Sequence, residues 1–179
     1  LLVRPVPLWE MEEDNKAVGR ETLANTFGTE ENRGFEETIL EAGKNAAEDN
    51  LPDYMHSLLA GRTDSFLEEL DELNVEVKAK RILSASVSYM LMARCGVEAE
   101  EYLDVLDFQD IRDFNTPPLI NSLGSAISDV AEMALSPVSD TVIRFQAARK
   151  KESRTFVSGE TGEYTESAKE TIETSPDTE

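Results

Sequence analysis

Twelve consecutive residues, Ile82 to Ala93 (Ile-Leu-Ser-Ala-Ser-Val-Ser-Tyr-Met-Leu-Met-Ala), carry no charge. At 3.6 residues per turn, Leu83, Val87, Met90 and Leu91 share one face. Ser86, Tyr89 and Ala93 fall on a second face, and Ala85, Ser88 and Met92 on a third. A helix that is apolar or small all round is a buried helix with neighbours on every side. The run is too short to span a bilayer, which needs about 20 apolar residues. Arg94-Cys95-Gly96 supplies a stop: a cation in the last turn, then a glycine suited to the left-handed C′ position.

The same periodicity predicts the neighbours. Residues 15–27 read as a helix with Val18, Leu23 and Phe27 inward and Gly28 as the stop. In 34–59 the core stripe is Phe35, Ile39, Ala42, Ala46, Leu51, Met55 and Leu58, with Asn50 and Pro52 able to start a fresh helix. Thr63 to Leu73 reads as a third helix, because Ser65 and Glu68 have capping-box spacing and Phe66, Leu67, Leu70 and Leu73 fall inward. Asn74 is a candidate end for it. Val75-Glu-Val-Lys78 alternates like a strand but lacks a partner strand, so helix is preferred.

Glu98–Leu103 and Asp107–Phe114 read as short helices opened by acids. Thr116 and Pro117 are an N-cap and an N1 for a helix through Leu119, Leu123, Ile127, Val130 and Ala134. Gly124 inside it suggests close approach of another helix. Pro137 forces a kink or a restart, after which Val138, Val142 and Phe145 continue the stripe. Residues 1–9, with Pro5 and Pro7, are extended, and Leu8 and Trp9 anchor them. From Ser153 onward Ser, Thr, Glu and Gly dominate, and such a segment cannot offset its ordering entropy.

The predicted fold is all-α: a compact orthogonal helical domain of about six helices around a buried central helix at 82–95. Residues 1–152 form the domain, with an extended N-terminal strip at 1–14 and a disordered acidic tail at 153–179. A body of about 150 residues buries roughly 68–70% of its unfolded surface. A first residue Leu1 reads as a chain cut from a longer protein. One cysteine excludes an internal disulfide and suits a cytoplasmic protein.

Charge changes the picture most. The net charge is −20, and the seven acids of 153–179 against Arg154 and Lys169 leave −15 on the body. Such a surface repels nucleic-acid phosphate. Two basic clusters stand against it: Lys78, Lys80 and Arg81, and Arg149, Lys150 and Lys151 with Arg154. They read first as a solvated helix start and a complement to a helix C-terminal dipole, and second as contacts to DNA or an acidic partner.

Catalytic readings are weaker still. His56 is the single histidine, and a catalytic zinc needs three protein ligands. Asp53 and His56 have ligand-like spacing but read as a polar helix face. Cys95 at a helix C-terminus faces the wrong end of the dipole for a thiolate. Glu68-Glu69-Leu70-Asp71-Glu72 reads as a solvated face, and Met90, Met92, Met133 and Tyr89 as core. Gly28 and Gly124 fit no phosphate loop. No catalytic residue, metal ligand or cofactor is expected.

Six stretches, in order across about residues 5–147, carry a resemblance. They are Pro5-Val-Pro-Leu-Trp9, Asn45-Ala-Ala-Glu-Asp-Asn50, Asp64 through Asn74, Ser86-Val-Ser-Tyr-Met90 with Arg94-Cys-Gly96, Asp113-Phe-Asn-Thr-Pro117 and Ser128-Asp-Val-Ala-Glu-Met133. Together they resemble a segment of the ArdC-like or LtrC-like multidomain proteins of Gram-positive conjugative elements, described as antirestriction or DNA-metabolism proteins. The resemblance implies an upstream single-stranded-DNA-binding domain and a zinc-metallopeptidase-like helical scaffold. That scaffold has an HExxH helix and an acidic ligand in a segment like AESVAY. Here HExxH is missing, and the counterpart Ala85-Ser86-Val87-Ser88-Tyr89 has no carboxylate. The resemblance therefore implies a scaffold kept and a metal site lost. The expected partners are neighbouring domains of a larger parent protein and, through the upstream domain, single-stranded DNA, with no membrane and no small-molecule substrate. Two alternatives stand beside this non-catalytic module: an acidic DNA-mimic antirestriction decoy and, more remotely, a metal-dependent peptidase-like enzyme.

Overall fold

The computed structural model describes residues 12–30 and 32–166, with side chains to residue 152. Among these residues the fold is all-α. It comprises α1 (Glu13–Phe27), α2 (Phe35–Ala60), α3 (Glu72–Arg94) and α4 (Pro117–Glu166), with two 3-10 segments, Ala99–Glu101 and Val105–Asp113, before α4. The chain divides into one unit ending at Val142 and a second beginning at Ile143. Leu8, Trp9 and the rest of the expected strip up to residue 11 lie outside the described residues, and α1 takes in 13 and 14. The stretch expected to form an acidic tail begins inside α4, and 167–179 lie outside the described residues.

α3 packs most extensively on α2, α1 packs on α2, and the Val105–Asp113 segment packs on α3. The α2 stripe is buried at Phe35, Ile39, Ala42, Ala46, Ala47, Leu51 and Leu58, with Met55 half-buried. The crossing is close because of Gly43. A Cβ there would run into the Ser88 hydroxyl and lie 3.0 Å from the Ser88 backbone nitrogen. Helices carrying glycine and alanine at the contact approach nearer than bulkier ones allow.

In α3, Ile82, Leu83, Ala85, Val87, Ser88, Leu91 and Met92 are buried. The second face is more open than expected: Tyr89 is 41% exposed and Ala93 is also exposed. Tyr89 meets the Phe108 ring edge-on, with centroids 6.3 Å apart, so its exposed face still has an aromatic neighbour. The stop forms as expected. Gly96 is left-handed (φ 71), and the Val97 N–H donates to the Met92 carbonyl across it. Gly28 ends α1 in the same conformation (φ 65), donating to the Ala24 carbonyl.

Several expectations need correction. Residues 61–70 form turns, not a helix. Glu68 accepts from the Asp64 N–H instead of the Ser65 N–H, and the Ser65 hydroxyl donates to the Arg62 carbonyl. Asp64 sits at φ 63, a conformation aspartate tolerates in turns but a continuing helix does not use. The capping letters are thus spent on the turn. The helix starts later, at Asp71, whose carboxylate accepts from the Asn74 N–H, so Asn74 lies in a first turn and not at an end. Val75 to Lys78 is helical, as preferred. Phe66 and Leu73 face solvent, at 70% and 68% exposure.

Neither interior proline breaks its helix. α2 is continuous through Pro52, which is exposed, and Asn50 donates to the Ala46 carbonyl instead of capping a new start. α4 is continuous through Pro137, whose carbonyl accepts the Thr141 hydroxyl at 2.7 Å. The early α4 stripe is buried at Leu119, Leu123, Ala126, Val130, Ala134, Val138 and Val142. Gly124 is exposed and has nothing within 4 Å of a built Cβ, so no helix approaches there. Met133 is 43% exposed and does not belong to the core.

Candidate functional site

The chief polar feature grows out of the Val105–Asp113 segment. In a 3-10 helix residues three apart eclipse one another, so Asp107, Asp110 and Asp113 fall on one side. Asp104 starts the segment, accepting from the Leu106 N–H while Asp107 accepts from the Asp104 N–H. That side packs on α3, where Lys78 and Arg81 are also three apart and share a face.

Asp110 is 7% exposed, and its two oxygens are separately bound. Lys78 Nζ donates to Oδ1 and Arg81 Nη1 to Oδ2, each at 2.7 Å. Lys78 also reaches Asp113 at 2.8 Å. The Lys78 hydrogen bond, ahead of the Arg81 one, holds the Asp110 carboxyl below its ordinary value. Asp110 in turn holds the Lys78 ammonium above its own. Lys80 lies on another side of α3 and pairs with Glu48 of α2 at 2.7 Å, which lowers the Glu48 carboxyl.

The first basic cluster is therefore turned onto the protein's own carboxylates. Lys78 and Arg81 clamp the 3-10 segment, and Lys80 ties α3 to α2. Beside them lies a cleft of about 380 Å³, to which Lys44, Lys80, Arg81, Ser84 and Asp107 contribute polar groups. Arg149, Lys150 and Lys151 are exposed in the second unit, with the Arg149 guanidinium 5.8 Å from the Phe145 ring centroid.

Asp110 escaped the sequence reading. The signal was there: Asp107, Asp110 and Asp113 recur every three residues, but at 100° per residue they drift apart. Only the 3-10 geometry aligns them opposite Lys78 and Arg81.

Asp53 and His56 are both exposed on α2. Among the described residues no group of three His, Cys, Asp or Glu is placed to hold a metal ion. Cys95 is buried, and burial raises its thiol to about 12 against the opposing pull of Arg94. Such a thiol is almost wholly protonated at neutral pH and is a poor nucleophile. Glu68 and Glu69 lie exposed in the 61–70 turn, Asp71 caps α3 and Glu72 opens it, so this acid run is divided between a turn and a helix start. A second cleft of about 490 Å³ lies between α3 and α4, lined by Arg94, Ser128, Glu132, Ser136 and Asp140. The Arg94 Nε there is buried and has no hydrogen-bond partner. No described helix is long and apolar enough to cross a membrane.

These arrangements hold charges and shape. The only imidazole, His56, is solvent-exposed on α2. No family model matches the chain, and no curated protein or solved structure matches it.

Proposed function

We propose that this chain is a non-catalytic helical module of a conjugative-element protein of the ArdC-like or LtrC-like kind. It acts in the cytoplasm, supporting an adjacent single-stranded-DNA-binding domain or a protein partner during transfer. The observation that carries the reading is the segment Ala85 to Tyr89. Its likeness to the acidic-ligand segment of zincin-like relatives lacks the carboxylate, and Ala85, Val87 and Ser88 are buried where α3 meets α2. A position that elsewhere holds metal would here serve packing. The ion pairs of Lys78, Lys80 and Arg81 support the same reading, since these cations stabilise the module itself.

The test is metal content and peptidase activity of the purified chain. The reading expects neither stoichiometric zinc nor proteolysis. Stoichiometric zinc together with proteolysis overturns it and revives the metallopeptidase alternative.

The acidity favours a second reading, a DNA-mimic decoy that blocks a restriction enzyme. Between Glu98 and Ile143 ten acids stand against the single Arg112. A decoy of this kind binds a restriction complex in a salt-sensitive way. Absent or salt-insensitive binding removes it.

A further inference from the structure

Val77, Arg81, Ser84 and Ser88 fall at i, i+4, i+7 and i+11 of α3 and so share one stripe. On α2, Leu40 and Lys44 lie one turn apart and face that stripe, and Leu103 and Asp107 close a third side. Ser84, Ala85 and Ser88 are too short to fill the space between, and the cleft of about 380 Å³ remains. Small-molecule pockets begin at roughly 300 Å³.

The lining is divided by chemistry. Leu40, Val77, Ala85 and Leu103 are apolar, and Lys44, Lys80 and Arg81 bring three cations. Its one acid, Asp107, already accepts the Asp104 N–H at 2.9 Å. Glu48 and Asp110, the carboxylates that answer Lys80 and Arg81, are not part of the lining. An ammonium has three donors and a guanidinium five. Lys80 meets Glu48 through one oxygen, and the half-exposed Arg81 meets Asp110 through Nη1, so both keep donors for a ligand. The Lys80 hydrogen bond first, and the field of exposed Lys44 last, lower the Glu48 carboxyl, so two cations stand against one exposed carboxylate.

Ser88 adds an independent observation. The residue is only 3% exposed and lines the cleft, yet its hydroxyl has no hydrogen-bond partner among the described residues. Buried hydroxyls are normally satisfied, and one left over beside a cleft is relieved by a ligand oxygen. The net charge of −20 opposes an anion at long range, but salt screens exposed charges beyond about 8 Å, so the donors at the cleft decide. We propose that this cleft binds a small organic anion, a carboxylate or phosphate ester on a compact apolar body. The head group meets Lys44, Lys80 and Arg81, and the body lies on Leu40, Val77 and Leu103. The inference goes beyond the module reading above and stands or falls without it.

The test titrates the full chain, isotope-labelled, with phenyl phosphate, benzoate, inorganic phosphate and benzyl alcohol. Phenyl phosphate or benzoate should shift amides of residues 40–44, 77–88 and 103–107 and saturate, and the tighter of the two identifies the head group. Inorganic phosphate and benzyl alcohol each supply half of the chemistry and should bind about tenfold more weakly or worse. Lys44→Gln, at an exposed position, should weaken the organic anion by about tenfold, the scale of one charge-assisted hydrogen bond. Ser88→Ala should weaken it by about threefold with no fall in the unfolding midpoint, because that hydroxyl has no partner in the fold to lose. No saturation with either organic anion, equal binding of inorganic phosphate or benzyl alcohol, shifts centred elsewhere, or unchanged affinity in both variants overturns the proposal. So does a single-stranded oligonucleotide that shifts the same amides at lower concentration than phenyl phosphate, since the cations would then serve a nucleic-acid backbone. Failure of every anion leaves the non-catalytic reading standing, whereas zinc with proteolysis defeats that reading and leaves the titration intact.

Discussion

The α2–α3 crossing and the Val105–Asp113 edge are held by opposite means. At the crossing, alanine and glycine let two long helices meet, and Ile39, Ile82, Leu83 and Val87 fill the space with no exposure. At the edge a nine-residue 3-10 segment buries chiefly Asp110, and charge fastens it to α3. Close packing tolerates no added volume. A charge clamp tolerates volume but not neutralisation. The acidic edge also leaves Val105, Leu106 and Ile111 in solvent, so it is the less packed of the two regions.

The sharpest way to break the crossing is Gly43→Val. Its Cβ would sit 3.0 Å from the Ser88 nitrogen and 3.1 Å from its Cα, backbone that moves only if a helix moves. We expect a loss of about 3 kcal/mol or more, measured by denaturant unfolding. A loss under about 1 kcal/mol would mean the helices separate freely and the packing account is wrong.

Next in size is Asp110→Asn, which should cost about 2 kcal/mol, the scale of hydrogen bonds to charged groups. Its pH dependence has a definite sign. The Asp110 carboxyl is lowered in the fold by Lys78, so its contribution is complete above the ordinary aspartate value of about 3.9 and is lost as pH falls through the folded one. The Lys78 ammonium is raised by Asp110, so its share is complete below about 10.4 and is lost as pH rises through its folded value. The stability difference between wild type and Asp110→Asn should therefore be flat between these limits and shrink beyond each. A difference that grows on acidification would contradict the clamp. A double-mutant cycle of Asp110→Asn with Lys78→Met should give a coupling of about 1 kcal/mol; additive losses would show the pair to be idle.

The smallest effect is a gain. Gly124→Ala replaces an exposed helical glycine with nothing near its Cβ and should raise stability by about 0.5–1 kcal/mol. A loss would show that this face is covered in solution.

The same contrast decides what could be read from the sequence. The crossing was legible because a two-sided apolar period survives whatever packs on it. The α2 stripe from Phe35 to Leu58, the uncharged run of α3, and the Gly28 and Gly96 stops all emerged from spacing alone. The edge was not legible at an α-helical period, because a 3-10 segment aligns every third residue and so hid Asp110. The 61–70 turn misled for a related reason. Ser65 and Glu68 satisfy local amides in a turn as readily as in a helix start, and only the left-handed Asp64 separates the two. Gly124 was read as a contact because a helical glycine usually has one; its actual surroundings are open. For the candidate site, Lys78, Lys80 and Arg81 were found as a cluster, but spacing along one helix cannot say which carboxylates answer them.

Native-state amide exchange on wild type and Asp110→Asn, residue by residue, tests the central contrast most directly. Backbone amides of Ala79 to Met92 should exchange only with global unfolding in both proteins, apart from the overall stability change. Those of Val105 to Asp113 should open locally in wild type and markedly faster in Asp110→Asn. Equal protection of the two regions, or no local acceleration at 105–113 in the variant, would contradict a packed crossing joined to a charge-clamped edge.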